Sequence, residues 1–343
     1  MQVEKNHSLL HDNTFNIDQK CDEYIVYENE HDAVLIAKDL QAPFLLLGGG
    51  SNLLLTQDFR GKVITPAKRF DISVVLHQGS NEPCLKCWAG TTFDDVVDYA
   101  VRHGYHGLEN LSLIPGECGA SAVQNIGAYG AEIKDVLTEI EAVEIGSGKV
   151  VAIHASDCGY SYRQSKFKHE WKNKYLILYV TYQLSRAFRP ELDYGNVRKQ
   201  LEAKGITESQ LTGENLRETI VEIREAKLPD PMVLGNAGSF FMNPIVDSAT
   251  FERLKTEHAD LRFFEMPQAD GTMKYKIPAG WMIDQCGWKG RSLGKVGVYE
   301  KQALILVNHG GAKGEDVVNL MHAVQHDVKE KFGLDIKPEV NII

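Results

Sequence analysis

Gly48-Gly49-Gly50-Ser51-Asn52-Leu53-Leu54-Leu55 follows the apolar run Phe44-Leu45-Leu46-Leu47, and the reading of these glycines decides the fold class. A doubly wound dinucleotide fingerprint needs G-x-G-x-x-G opening a helix. Gly48 and Gly50 fit its first two positions, but Leu53 stands where the third glycine belongs. The apolar run that follows is too short and too strand-like to open a helix. A P-loop fails too, because no Gly-Lys-Ser or Gly-Lys-Thr follows a glycine loop. Two readings remain. The turn cradles a phosphate on its bare N–H groups, or it is a tight turn without a ligand.

A second cluster bears on that choice. Ile114-Pro115-Gly116-Glu117-Cys118-Gly119-Ala120-Ser121-Ala122 leads into Gln124-Asn125-Ile126-Gly127-Ala128-Tyr129-Gly130. Small residues and amides let a flat cofactor or a pyrophosphate approach the main chain closely. Dense glycine carries a conformational-entropy cost that a purely structural loop has little reason to bear, so two such segments favour a ligand.

Up to about residue 190 short β-rich runs alternate with turns: Tyr24–Tyr27, Phe44–Leu47, Lys62–Ile64, Ile72–Leu76, Cys84–Trp88 and Tyr175–Val180. One clear helix interrupts them, with Phe93, Val96, Val97, Ala100 and Val101 on one face, Thr91 or Thr92 as cap and Gly104 as stop. Beyond that point helices gain ground. Leu216, Ile220 and Ile223 share a face, and Val317, Val318, Met321, Val324 and Val328 mark a last helix before Gly333. Strand-like Ala303–Val307 precedes that helix and Glu339–Ile343 closes the chain. The pattern predicts an α+β fold in two modules, with the boundary near residues 186–196.

The length of 343 residues agrees with about two domains at ~150 residues each. A net charge of −10 argues against a general nucleic-acid binder but not against a small anionic substrate. No stretch has the ~20 apolar residues of a membrane span, and the polar first residues do not resemble a secretory signal. Six scattered cysteines point to a reducing compartment and a cytoplasmic protein. Cys84 and Cys87 read as strand residues, and no metal-ligand spacing occurs among the 12 histidines.

Taken together, several segments resemble the UDP-N-acetylenolpyruvoylglucosamine reductase family, in its type I branch. They are Asn13-Thr14-Phe15, Gly48–Leu55, Leu108-Glu109-Asn110, Ile114–Gly130, Tyr162–Lys168, Lys227–Pro231, Gly235–Pro244, Ala279–Cys286 and Lys337–Val340, with Leu192-Asp193-Tyr194-Gly195 resembling the tyrosine loop. The resemblance implies an FAD-binding module of the vanillyl-alcohol-oxidase/PCMH type over residues 1–190, in two β-rich subdomains split near residue 66. A smaller substrate-binding module over 191–343 follows, its last residues returning to the active site. Three positions depart from the family pattern: Asn16 where glycine is common, Glu117 beside the expected pyrophosphate contact, and Val123 in place of a proline.

The implied reaction is the NADPH-dependent, FAD-mediated reduction of UDP-N-acetylglucosamine enolpyruvate to UDP-N-acetylmuramate in peptidoglycan biosynthesis. Hydride passes from flavin N5 to the enolpyruvyl methylene. By position in the matched motifs, Ser239 is the proton donor, while Arg163 and Glu339 stabilise the enolate-like intermediate. Arg163 supplies a planar cation suited to a carboxylate, and Glu339 helps a developing anion only when it carries a proton. FAD contacts are implied for Gly48, Gly49, Gly50, Ser51, Asn52, Leu53, Pro115, Gly116, Gly119, Ala120, Ser121, Gln124, Asn125, Gly127, Ala128 and Tyr129. Tyr194, Lys227, Asn243 and Gln302 are the implied holders of the UDP-sugar, mainly through its diphosphate. A monomer is expected, without metal, nucleic acid or membrane as partner. A flavin oxidase of the same fold or a catalytically silent flavin or sugar-nucleotide sensor are the competing readings.

Overall fold

The computed structural model describes residues 1–76, 81–268 and 270–343. The chain forms two compact units. Unit one comprises Met1–His7, Cys21–Gly49 and Phe59–Ala226; unit two comprises Ser8–Lys20, Gly50–Asp58 and Lys227–Ile343.

Unit one is built on two sheets. The five-stranded sheet is antiparallel throughout, in the order Val150–His154, Leu137–Glu144, Tyr175–Gln183, Pro83–Trp88, Ile72–Leu76. In the other, Phe59–Pro66 runs parallel to both Lys20–Tyr27 and Phe44–Leu46. The Glu30–Asp39 helix joins two of these parallel strands, as a parallel pairing requires of its crossover. Asn29 caps it by accepting the Asp32 N–H. Its Ala33, Ile36 and Ala37 share one core with Ile64 and Trp88.

The Phe93–Arg102 helix buries the five apolar residues its periodicity selects, and Gly104 follows with φ +66°. Its start differs from expectation. Thr92 occupies the cap position without making a side-chain cap bond, and the Thr91 hydroxyl reaches the Arg69 and Asp71 carbonyls instead. The sequence also underestimates helix here, because Glu30–Asp39 and Cys118–Gln124 are helical as well. Toward the end of the unit, Val197–Ala203 and Gly213–Lys227 pack around Leu192, Val197, Leu201, Leu216, Ile220 and Ile223.

Unit two holds an antiparallel sheet in the order Gly235–Ser239, Ile305–Asn308, Val296–Val298, Ser292–Leu293. Leu53–Leu54 pairs in parallel with Asn341–Ile342, so the apolar run after the glycines is a strand, as its composition predicts. The Gly314–Phe332 helix ends at Gly333 in the left-handed region, φ +68°. No helix among the described residues is long and apolar enough to cross a membrane.

Asn13-Thr14-Phe15-Asn16 props up the Gly235–Ser239 strand. Thr14 Oγ1 donates to the Asn236 carbonyl at 2.6 Å, and the Asn236 N–H donates to the Thr14 carbonyl at 2.9 Å. Phe15 is fully buried, its ring edge-on to Phe240 at 6.2 Å. Asn16 has φ +55°, which explains its replacement of glycine: asparagine tolerates the left-handed region better than other side chains. We therefore expect Asn16→Gly to leave stability nearly unchanged. Asn16→Val should cost about 1–2 kcal/mol in denaturant unfolding. Equal stability of the two variants would contradict the backbone account.

Candidate functional site

In unit one the two glycine-bearing segments lie against each other. A Cβ placed on Gly48 would lie 3.1 Å from Ala120 Cβ, and one on Gly49 would lie 3.2 Å from Gly116 Cα. Main chain and small side chains therefore make up this meeting point. The Cys118–Gln124 helix is fixed there by main-chain bonds, Cys118 N–H to the Thr91 carbonyl and Gly119 N–H to the Ala89 carbonyl, both 2.9 Å. Gly119 is sterically confined as well, since a Cβ there would sit 3.0 Å from Ala89 Cβ and 3.3 Å from its carbonyl oxygen.

Glu117 is buried and its carboxylate faces the glycines. Oε2 lies 3.4 Å from the Cβ position of Gly48 and Oε1 3.7 Å from that of Gly49. The departure noted in the sequence is thus an acidic group set beneath the turn. Two other expected contacts have committed side chains. The Ser121 hydroxyl bonds the Cys118 carbonyl at 2.7 Å and the Tyr182 hydroxyl at 2.8 Å. Asn125, with φ +45°, donates to Glu132 and to the Ser161 carbonyl and accepts from the Lys134 N–H. These two side chains brace the loop from within.

A second group in unit one surrounds Arg163. Arg163 Nη2 donates to the Gly127 carbonyl at 2.9 Å, and its backbone has φ +56°. A non-glycine residue held there stores about 1–3 kcal/mol of strain, a feature that clusters at functional positions. Tyr129 shares the strain at φ +47°. Asn110 pins this loop to the tyrosine loop, donating to the Tyr129 carbonyl at 2.7 Å and the Glu191 carbonyl at 2.8 Å. Tyr194 is close by: its Cβ lies 3.3 Å from the Cβ position of Gly130, and a Cβ placed on Gly195 would lie 3.7 Å from the Tyr129 ring. Burial pushes the Tyr129 phenol above its usual range, opposed by the positive charge of Arg224.

Unit two collects the remaining expected residues. Gly50 has φ +64°, and a Cβ there would lie 2.0 Å from the Asp12 carbonyl oxygen, so no other residue fits. Ser239 ends its strand exposed, opposite Ile305, between the buried Ala237 and Phe240. The Glu339 N–H donates to the Phe240 carbonyl at 2.8 Å, and Met242 N–H donates to the Lys337 carbonyl at 2.9 Å. This pairing brings Glu339 beside the residue that follows Ser239. Asn52 joins them, donating through Nδ2 to the Glu339 carbonyl at 3.3 Å and accepting from the Asn341 N–H at 3.1 Å.

Gln302 lies in the turn just before the Ile305–Asn308 strand, where the Ile305 N–H donates to its carbonyl at 3.1 Å. Asn243 Oδ1 accepts the Ala279 N–H at 2.8 Å, which fixes the start of the Ala279–Gln285 helix. Lys227 is exposed at the end of its helix. Sequence reasoning overlooks Asn308, which donates to the Phe15 carbonyl at 2.9 Å and accepts from Gly310 N–H at 2.8 Å. Its one local signal is the glycine pair just after a strand.

Cys84 and Cys87 lie buried on a strand, and burial pushes both thiols up, away from the reactive thiolate. His326, Asp327 and Glu330 cluster on one face of the last long helix, but Asp327 accepts from Trp288 Nε1 and the other two are exposed.

Two family models match successive parts of the chain. Residues 28–154 match a family model described as an FAD binding domain. Residues 230–343 match the model of the UDP-N-acetylenolpyruvoylglucosamine reductase C-terminal domain. A protein of Bacteroides fragilis bearing that reductase name is 47% identical over 343 residues, covering 99% of this chain and all of its own. A Bdellovibrio bacteriovorus protein of the same name is 40% identical over 342 residues, covering 99% of each chain. The crystal structure of the reductase from Thermus caldophilus aligns over 100% of this chain and 99% of its own, with a TM-score of 0.68 at 22% identity. That likeness establishes the shared fold.

Gly119 offers a direct check of the close packing under the first glycine turn. Gly119→Val should destabilise the protein by about 1–3 kcal/mol through overpacking against Ala89 and lower the flavin retained on purification. Wild-type stability and wild-type flavin content together would refute that packing account.

Proposed function

The chain belongs to the UDP-N-acetylenolpyruvoylglucosamine reductase family, and from that premise we propose that it reduces UDP-N-acetylglucosamine enolpyruvate to UDP-N-acetylmuramate in peptidoglycan biosynthesis, using NADPH and FAD. The observation that carries the reading is the main-chain pairing of Phe240–Met242 with Lys337–Glu339, which gathers two of the reaction's polar groups in one unit.

The residues present fit FAD. Gly48, Gly49, Gly116 and Ala120 keep large side chains out of the meeting point, so a flat or pyrophosphate-bearing group can approach the main chain there. Backbone N–H groups of such a glycine turn suit a pyrophosphate, whereas the Glu117 carboxylate beside Gly48 and Gly49 does not. When bound, FAD supplies the hydride that NADPH delivers to it and that the enolpyruvyl methylene receives.

The chain's own residues handle charge and the proton. Addition of hydride to the methylene places negative charge on the adjoining carbon and its carboxylate. Arg163, held by Gly127 in a strained backbone, contributes a fixed cation for that charge. Glu339, bearing a proton, contributes a hydrogen bond to it. Ser239 Oγ then gives its proton to the α-carbon. A serine hydroxyl is a weak acid, so neighbouring donors must stabilise the incipient alkoxide. Tyr194, Lys227, the Asn243 amide and Gln302 hold the UDP-sugar, with Lys227 as a point charge for the diphosphate.

Rapid-mixing kinetics on Ser239→Ala test the assignment. Bleaching of the flavin by NADPH should proceed at the wild-type rate, while its reoxidation by the enolpyruvyl nucleotide slows at least ~10²-fold. Equal slowing of the two steps would remove Ser239 from the role of proton donor.

A further inference from the structure

Tyr129, two residues beyond the Gly127 that Arg163 binds, packs against the Leu216, Ile220 and Ile223 cluster of the Gly213–Lys227 helix, and that helix carries a guanidinium outside the assigned set. Arg224 is on the Gly213–Lys227 helix, seven residues after Arg217 and therefore on the same face. That face is clamped. Arg217 binds Asp94 through two parallel bonds, Nη1–Oδ1 2.7 Å and Nη2–Oδ2 3.0 Å, and also approaches Asp98 at 3.4 Å. Asp94 additionally accepts the Leu113 N–H. The clamp fixes where Arg224 points about two turns later.

Arg224 is placed where its charge is poorly served. Its Nε–H is buried and has no hydrogen-bond acceptor among the described residues. Burial pushes the guanidinium below its usual range; Tyr129 and Asp94 oppose that, and the like charge of Arg163 adds to it. The nearby countercharge is already engaged, since Asp94 is held by Arg217 and the Leu113 N–H. Tyr129 provides no anion, because burial keeps its phenol protonated. Two guanidinium groups near one another in a poorly solvated region repel. A bound anion reverses that repulsion and satisfies the buried N–H.

We propose that Arg224 is a second cation for the substrate's enolpyruvyl carboxylate, acting with Arg163 as a two-guanidinium site. The assignment rests on the reaction proposed above and deepens it. A planar carboxylate with two oxygens matches the fork of a guanidinium, and a pair of such forks takes one oxygen each. The same pair then serves the enolate-like charge that grows on that carboxylate as hydride arrives. Arg224 thus selects for the carboxylate-bearing nucleotide over the parent sugar nucleotide.

Calorimetric titration of the flavin-loaded protein separates this role from a structural one. The probes are UDP-N-acetylglucosamine enolpyruvate and UDP-N-acetylglucosamine, which differ by the enolpyruvyl group. Arg224→Met should weaken the first at least about tenfold and change the second less than about twofold, with Arg224→Lys recovering part of the loss. Should the Met variant fail to fold, Arg224→Lys decides alone, by weakening only the carboxylate-bearing probe about threefold or more. Equal weakening of both probes would overturn the proposal in favour of a diphosphate or structural role, and unchanged affinity for both would overturn it outright. If the wild-type protein itself fails to prefer the enolpyruvyl nucleotide, the proposed reaction falls and the role of Arg224 falls with it. A wild type that prefers it, beside an Arg224→Met that keeps the preference, defeats the Arg224 assignment alone.

Discussion

The hydrogen bond from the Glu339 N–H to the Phe240 carbonyl, 2.8 Å, is the constraint on which the placement of Glu339 beside the Ser239 strand end depends. It joins the penultimate stretch of the chain to a strand laid down a hundred residues earlier. Its neighbours reinforce it: Met242 N–H reaches the Lys337 carbonyl, and Asn52 reaches the carbonyl of Glu339. Around these polar contacts Phe15, Phe240 and Phe241 are almost completely buried, each stabilising the arrangement by roughly 1.5–3 kcal/mol. Apolar burial therefore holds the strand while leaving Ser239 exposed at its end.

Unit one answers a different demand. There the main chain must come close to itself, so side chains are removed at Gly48, Gly49, Gly116 and Gly119. The polar residues nearby divide their labour. Ser121 and Asn125 hold the loop internally, whereas Arg163 is kept in a strained backbone conformation with its guanidinium bound to the Gly127 carbonyl. Asn110 links that loop to the one carrying Tyr194, which couples the placement of Tyr129 to that of Tyr194.

Much of this was legible in the sequence, for physical reasons. The Phe93–Arg102 helix announces itself because five large apolar residues fall on one stripe. The leucines after the glycines announce a strand because three of them cannot make a helix, and two pair with Asn341–Ile342. The Glu30–Asp39 helix was harder. Its inward face uses Ala33 and Ala37, whose weak apolar signal is easily lost, although Asn29 and Asp32 form a recognisable cap. The Cys118–Gln124 helix was hidden by its glycine and serine content, and it forms because the Ala89 and Thr91 carbonyls anchor its first turn. Thr91 itself misled, since a threonine before a helix suggests a cap and this one instead ties Arg69 to Asp71. The proposed site residues rest on motifs matched together, because a lone serine or arginine carries no chemistry that its neighbours do not confer. Arg224 matched no motif, and only its burial near Arg163 marks it.

The most direct measurement is the visible absorption spectrum of the purified protein, taken anaerobically before NADPH, after it, and after UDP-N-acetylglucosamine enolpyruvate. The account predicts an oxidised flavin spectrum that NADPH bleaches and that the enolpyruvyl nucleotide restores in stoichiometric amount. A protein that takes up no flavin, or a reduced flavin that the nucleotide leaves bleached, would contradict it.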